Sequence, residues 1–199
     1  MKVIDNFLNK KDFDLLQTSI TGSGFPFYFN SFVTEKGVDE NDLKDVNFTH
    51  ALYHEDGGVL SEEYKFVYDK FIKYLDIKEG LKKNLHRSKV NCYPRTSRII
   101  THKFHTDFPF SHKGAILSLN TCNGYTKIKG EGKIKCIENR LLLFDPSIPH
   151  ASTSHGTLRA EKYTNTSTKS NLSFFVLNRM DLCVYALHDV RSSFFCFSH

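Results

Sequence analysis

Apolar positions in the first half of the chain recur at helical spacing in two places. From Ile4 to Thr21, Leu8, Phe13, Leu15, Leu16 and Ile20 fall roughly on one face. Asn9 stands where a capping side chain belongs, and Gly22-Ser23-Gly24 ends the run. Residues 25–35 alternate Phe27, Phe29 and Phe32 with small polar residues, which predicts a strand, and the acidic stretch 35–47 predicts a loop. Ser61 to Leu75 predicts the clearest helix, with Ser61 and nearby Glu63 at its start and Tyr64, Val67, Tyr68, Phe71, Ile72 and Leu75 on its apolar face.

After His86 the period changes. Short apolar runs separated by turn residues cover 89–93, 98–104, 115–120, 125–128, 132–137, 140–144, 149–154 and 171–178. Eight short strands at about ten-residue spacing predict a sandwich or barrel, and an eight-stranded double-sheet jelly roll also carries cupin-type sites. The expected fold is mostly β with N-terminal helices, an α+β arrangement. Residues 1–199 then form a single domain: a helical support at 1–85, a β core at 86–178 and a C-terminal extension at 179–199. Met180–His199 is apolar and aromatic without clear period, and is open between a further strand pair and a segment covering the barrel.

Composition agrees with one folded domain. The 199 residues are 40% hydrophobic and 14% aromatic, with 18 Phe, 9 Tyr and no Trp, which argues against disorder. The net charge of +5, from 27 basic and 22 acidic residues, suits an anionic ligand but shows no nucleic-acid signature. The densest basic group, Lys82, Lys83, Arg87 and Lys89, reads as a solvated helix end and loop. No stretch has the length of a signal peptide core or a membrane span. Cys92, Cys122, Cys136, Cys183 and Cys196 have no regular spacing, so the expectation is a cytoplasmic protein with reduced thiols.

Candidate chemistry centres on His105-Thr106-Asp107. Residues i and i+2 of a strand share a face, so this HxD presents an imidazole and a carboxylate together at a barrel mouth. A third ligand must come from elsewhere. His150 is favoured, because it follows an apolar strand and a Pro-containing turn; His155 is the rival. Two imidazoles and one carboxylate leave three octahedral positions open, the donor set of non-haem Fe(II) oxygenases. Zinc accepts the same ligands but favours tetrahedral closure. Of the ten histidines, His50, His54, His86, His188 and His199 read as ordinary core or surface residues. His102, three before His105, is expected on the opposite face, and His112 lies in a loop within reach of the mouth. Asp145, before Pro146, reads as a turn residue.

Four segments in order carry a resemblance: Asn91-Cys92-Tyr93-Pro94; His105-Thr106-Asp107; Leu117-Ser118-Leu119-Asn120 with Asn123-Gly124-Tyr125-Thr126; and Asn139 to His150. Together with Val3 to Leu8, they make residues 88–178 resemble the double-stranded β-helix domain of the 2-oxoglutarate/Fe(II)-dependent dioxygenase superfamily. The likeness is to its prolyl-4-hydroxylase-like branch, which includes small phage and bacterial members.

The resemblance implies an iron site of His105, Asp107 and His150, with Fe(II), 2-oxoglutarate and O2 as cofactors and ascorbate as a reductant. It implies succinate and CO2 as co-products, and oxidation of a protein or peptide side chain or a small molecule. It also implies that Tyr93 and Asn91 face the cosubstrate, although Tyr93 would equally fill the barrel. A cation on a late strand is expected to meet the distal carboxylate, since a buried carboxylate without a partner is costly. Here the sequence departs from the family: Asn171 stands where Arg is usual. Lys169 is favoured for that role over Arg159, while Arg140 reads as a turn residue opening its strand. A cupin-like metal protein of other chemistry and a non-catalytic binding module remain the alternatives, and the polar insert 157–170 is where a lid or partner site would lie.

Overall fold

Polar caps set the helix starts. The Asn9 side chain accepts from the Asp12 amide at 3.0 Å, which opens α1 (Lys10–Thr21), and Gly22 closes it. Phe13, Leu16 and Ile20 are its buried face. Leu15, expected on that face, turns outward and is 45% exposed. Ile4 belongs instead to a short strand, β1 (Lys2–Ile4). Ser61 accepts from the Glu63 amide at 3.1 Å ahead of α2 (Glu63–Val67), as its position predicts. A π-helical turn (Tyr68–Ile72) joins α2 to α3 (Lys73–Glu79). The extra residue in that turn shifts the helical register. Phe71 and Ile72 are buried side by side, and Tyr68, expected on the inner face, emerges 39% exposed.

The computed structural model describes residues 1–30, 46–79, 84–156 and, by backbone path, 179–187. The first half also contributes β2 (Tyr28–Asn30), β3 (Asn47–His54) and β4 (Gly58–Val59). The second half runs through β5 (Asn84–Tyr93), β6 (Arg95–Thr96), β7 (Lys113–Ser118), β8 (Tyr125–Ile128) and β9 (Gly132–Lys135). It continues with β10 (Leu141–Phe144), β11 (His150–Ala151), β12 (His155–Gly156) and β13 (Arg179–Leu187). The major sheet has the order β1-β10-β7-β13-β5-β3-β2, with β4 on β3. The minor sheet is β11-β8-β9, and bridges Thr101–Thr153 and His105–His150 add a further segment to its β11 side. β12 pairs with β6 in parallel. The result is the expected jelly roll: a double-stranded β-helix whose major sheet is extended on both edges by the N-terminal half.

Two hydrophobic cores explain the burial pattern. Alternate residues of a strand face opposite sides. In β10, Leu141 packs with α1 and α3 through Leu16, Ile20, Phe71 and Leu75, whereas Leu142 and Phe144 join Ile116, Ile128 and Ile134 between the two sheets. A strand buried on both faces must be apolar throughout, which accounts for the uninterrupted Leu141-Leu142-Leu143-Phe144.

Three expectations are corrected or fall elsewhere. The β core was expected to end at 178, with 179–199 as an extension. Instead β13 sits in the middle of the major sheet, hydrogen-bonded to β5 and β7 along its length. Its backbone partners are far apart in sequence, so no local pattern marks its place. Second, 98–104 forms no continuous strand and touches the minor sheet through the Thr101 bridge. Third, the strand expected at 171–178 and the insert 157–170 lie outside the described residues, as does most of the loop expected at 35–47. Among the described residues no helix is long and apolar enough to cross a membrane.

Asn139 ties the N-terminal segment to the barrel. It adopts φ 55°, a left-handed conformation that Asn tolerates better than most residues. Its buried side chain accepts from the Leu8 amide at 2.9 Å and donates to the Leu8 carbonyl at 2.8 Å, while its own carbonyl accepts from Phe7 at 3.0 Å. Next to it Arg140 grips Asp5 through two contacts, Nε–Oδ1 at 2.5 Å and Nη2–Oδ2 at 2.8 Å. Asn139→Ala strands two buried backbone groups and is expected to cost about 2–4 kcal/mol. Urea unfolding followed by circular dichroism measures this, and a loss below about 1 kcal/mol would show that the clamp is dispensable.

Candidate metal centre

The site begins with a pair of backbone hydrogen bonds. His105 N donates to His150 O and His150 N donates to His105 O, each at 2.9 Å. Residues exchanging both bonds in an antiparallel pair put their side chains on one face. The two imidazoles accordingly lie side by side, with ring centroids 4.5 Å apart. Asp107, two residues past His105, falls on the same face, and its amide is held by the Pro146 carbonyl at 3.1 Å. One ligand atom from each of His105, Asp107 and His150 lies within 4.8 Å of the others. The three residues singled out from sequence therefore converge at one end of the barrel.

The hydrogen bonds assign the ring nitrogens. His150 Nδ1 lies 3.0 Å from the Ile148 carbonyl and His105 Nδ1 lies 3.4 Å from the Lys103 carbonyl. A carbonyl only accepts, so each Nδ1 carries the proton in the neutral ring, and each Nε2 presents a lone pair. His150 Nε2 is 3.2 Å from Asp107 Oδ2, a buried oxygen that accepts no well-formed hydrogen bond. A lone pair facing a carboxylate oxygen calls for a positive charge between or beside them. Backbone carbonyls holding the far nitrogen of two histidines are also the usual outer support of metal-binding imidazoles. The donor set and its orphaned oxygen thus fit a divalent cation.

Charge around the site has clear causes. Burial, and after it the neighbouring His150, holds the His105 imidazole below its ordinary pKa, against a smaller opposing pull from Asp107. Burial pushes the Asp107 carboxyl up, but His150 in its protonated form, Arg87 and Lys89 together outweigh it and hold the group well below the usual carboxylate range. Arg87 Nη2 meets Asp107 Oδ1 at 2.5 Å.

Other expected residues are placed as follows. Tyr93 is buried and stacks on His102, with centroids 5.4 Å apart. Asn91 is buried on the same strand, and its side-chain oxygen accepts from Thr49 at 3.4 Å. His155, the rival third ligand, sits on β12 against β6 and outside the cluster. His112 is buried against Phe108 and Phe110. Asp145 makes the expected turn, accepting from the Ser147 amide at 2.9 Å. Lys169 and Arg159 lie outside the described residues.

His102 departs from the expected opposite face. The bridges pair 101 with 153 and 105 with 150, so one strand has an extra residue between them. His102 thereby pairs with Ser152, donating from its amide to the Ser152 carbonyl at 3.0 Å, and shares the face of His150.

Sequence reasoning missed Arg87 and Lys89. Both lie on β5 rather than in a solvated loop. Val90 and Cys92 face the helical core, so Arg87, Lys89, Asn91 and Tyr93 share the other face, toward the barrel interior. The alternation was readable, but the long cations masked it.

No family model matches this sequence, and no curated relative matches it. Solved structures do. A prolyl hydroxylase from Trichoplax adhaerens, in complex with a hypoxia inducible factor oxygen degradation domain peptide fragment, has 17% identity and a TM-score of 0.55. That match covers 94% of this chain and 82% of the hydroxylase. A 2OG-Fe(II) oxygenase family oxidoreductase from Burkholderia pseudomallei has 9% identity and a TM-score of 0.57, covering 88% and 79%. HygX from Streptomyces hygroscopicus, with nickel, 2-oxoglutarate and hygromycin B bound, has 7% identity and a TM-score of 0.51, covering 93% and 82%. The fold is that of the 2-oxoglutarate/Fe(II) oxygenases.

The electrostatics of this oxygenase-fold barrel are testable. In metal-free protein, an NMR titration of His105 should give a midpoint below 6.5. A folded-state pKa below the unfolded value means that this group's contribution to stability is full above 6.5 and is lost as pH falls through the folded midpoint. A midpoint at or above 6.5 would contradict the burial argument.

Proposed function

We propose that this protein is an Fe(II)- and 2-oxoglutarate-dependent dioxygenase that oxidises a protein or peptide side chain or a small molecule. The observation that carries the reading is the convergence of His105, Asp107 and His150 at the end of a double-stranded β-helix barrel. Structural neighbours support it from two directions, one with a peptide fragment bound and one with 2-oxoglutarate, nickel and hygromycin B. When bound, iron and 2-oxoglutarate supply the oxidation: O2 is consumed, the cosubstrate is decarboxylated to succinate and CO2, and a prime substrate is oxidised.

The chain's own residues supply position and environment. His105 and His150 would hold the metal through Nε2 and Asp107 through a carboxylate oxygen, the donor set of non-haem iron sites. The interior row of β5 runs from Arg87 beside Asp107 to Tyr93 beside His102, and Asn91 and Tyr93 face the cosubstrate from it. Between Arg87 and Asn91, Lys89 lies close enough for its charge to act on both His105 and Asp107. It shares the interior row of β5 and is a candidate to meet a carboxylate of 2-oxoglutarate, a role the sequence reading gave to Lys169 or Arg159. Phe108 and Phe110 stack with centroids 5.4 Å apart in the segment that follows Asp107, and Phe110 is exposed.

Purified protein supplied with Fe(II), ascorbate and 2-oxoglutarate should form succinate, and His105→Ala and His150→Ala should each abolish it. Protein that binds neither iron nor 2-oxoglutarate would end the proposal. Lys89→Met is expected to weaken 2-oxoglutarate binding about tenfold or more, by loss of a charge-assisted contact. Metal binding should be unchanged or slightly tighter, since a repelling charge is removed. Calorimetry on the Mn(II) form reads both, and Lys169→Met and Arg159→Met are measured alongside. If one of these weakens cosubstrate binding and Lys89→Met does not, the distal carboxylate lies elsewhere.

A further inference from the structure

Asp107 has two oxygens in different surroundings. Oδ1 is taken by Arg87 Nη2 at 2.5 Å, while Oδ2 faces His150 and accepts no well-formed hydrogen bond. The guanidinium is itself held: it reaches from the interior face of β5 and lies over the Phe108 ring, 5.4 Å from the centroid. Phe108 in turn stacks on Phe110 and packs against His86 and His112. Arg87 is thus fixed on one side by a major-sheet strand and on the other by the loop that follows Asp107. Arginine stays charged at every accessible pH, so the contact persists in all working conditions.

We propose that Arg87 is a positioning residue that restricts Asp107 to one-oxygen coordination, an inference resting on the reading of His105, Asp107 and His150 as a metal centre. A carboxylate with both oxygens available can chelate a cation and occupy two positions of its shell. The guanidinium on Oδ1 prevents this and leaves three adjacent positions open, the number that a two-point cosubstrate and O2 require. It also orients the carboxylate, because the backbone at 105 and 107 cannot alone determine the rotation of the Asp107 side chain.

The test uses Mn(II) and the full chain without cosubstrate. Mn(II) affinity is measured by electron paramagnetic resonance titration, and the number of bound waters by water-proton relaxation at saturating protein. Arg87→Met is expected to weaken Mn(II) binding about 10- to 100-fold, as loss of outer-shell partners does. It should also lower the hydration of the bound ion by about one water of three, as the released carboxylate chelates. A merely structural role would leave that hydration unchanged. Arg87→Lys, which keeps the charge but not the fork, is expected to lose affinity in the same direction and by less. Should Arg87→Met fail to fold, Arg87→Lys carries both measurements. Unchanged affinity or unchanged hydration in the deciding variant overturns the inference while leaving the metal centre standing. If the wild-type protein binds no Mn(II), or binds it no better than His150→Ala, the metal-centre reading fails and the inference goes with it.

Discussion

The reciprocal hydrogen bonds between the backbones of His105 and His150 are the constraint on which the site depends. They join two segments 45 residues apart in sequence and oblige two imidazoles to share one face. Everything else at the site elaborates that pairing: Asp107 follows two residues on with its amide held by Pro146, and Arg87 reaches it from the opposite sheet. Backbone geometry at the edge of a β structure is stiff. Two of the three candidate side chains are therefore fixed by backbone pairing, which is what pre-organised chemistry needs.

That stiffness is borrowed from the rest of the chain. The outer face of the major sheet is covered by α1 and by the α2–α3 segment, and its inner face meets the minor sheet across a second, smaller core. Asn139 and Arg140 fasten the N-terminal segment to the turn before β10, close to the strand that leads into His150. The contacts joining helical support and barrel are buried or charge-paired rather than loose.

Much of this was legible in the residues. Asn9 and Ser61 cap as their side chains dictate, and the Leu141–Phe144 run is apolar because both faces are covered. The HxD spacing and the distant histidine pointed to the three side chains that converge. The failures are informative for the same reason. β3, with polar residues at many positions, shows no clear period and was not assigned. Arg87 and Lys89 read as solvated cations because charged side chains usually are, yet a strand that lines a polar cavity can turn them inward. A one-residue bulge reversed the expected face of His102, and a π-turn exposed Tyr68.

By itself the sequence determined the class of fold, the helix-capping residues and the three ligand candidates, since these depend on local periodicity, capping chemistry and short-range spacing. Tertiary structure decided which strand closes the middle of the major sheet, which histidine completes the triad, and which cation touches Asp107. Those outcomes depend on pairings between segments tens of residues apart. Local preference carries no information about such partners until the sheets have formed.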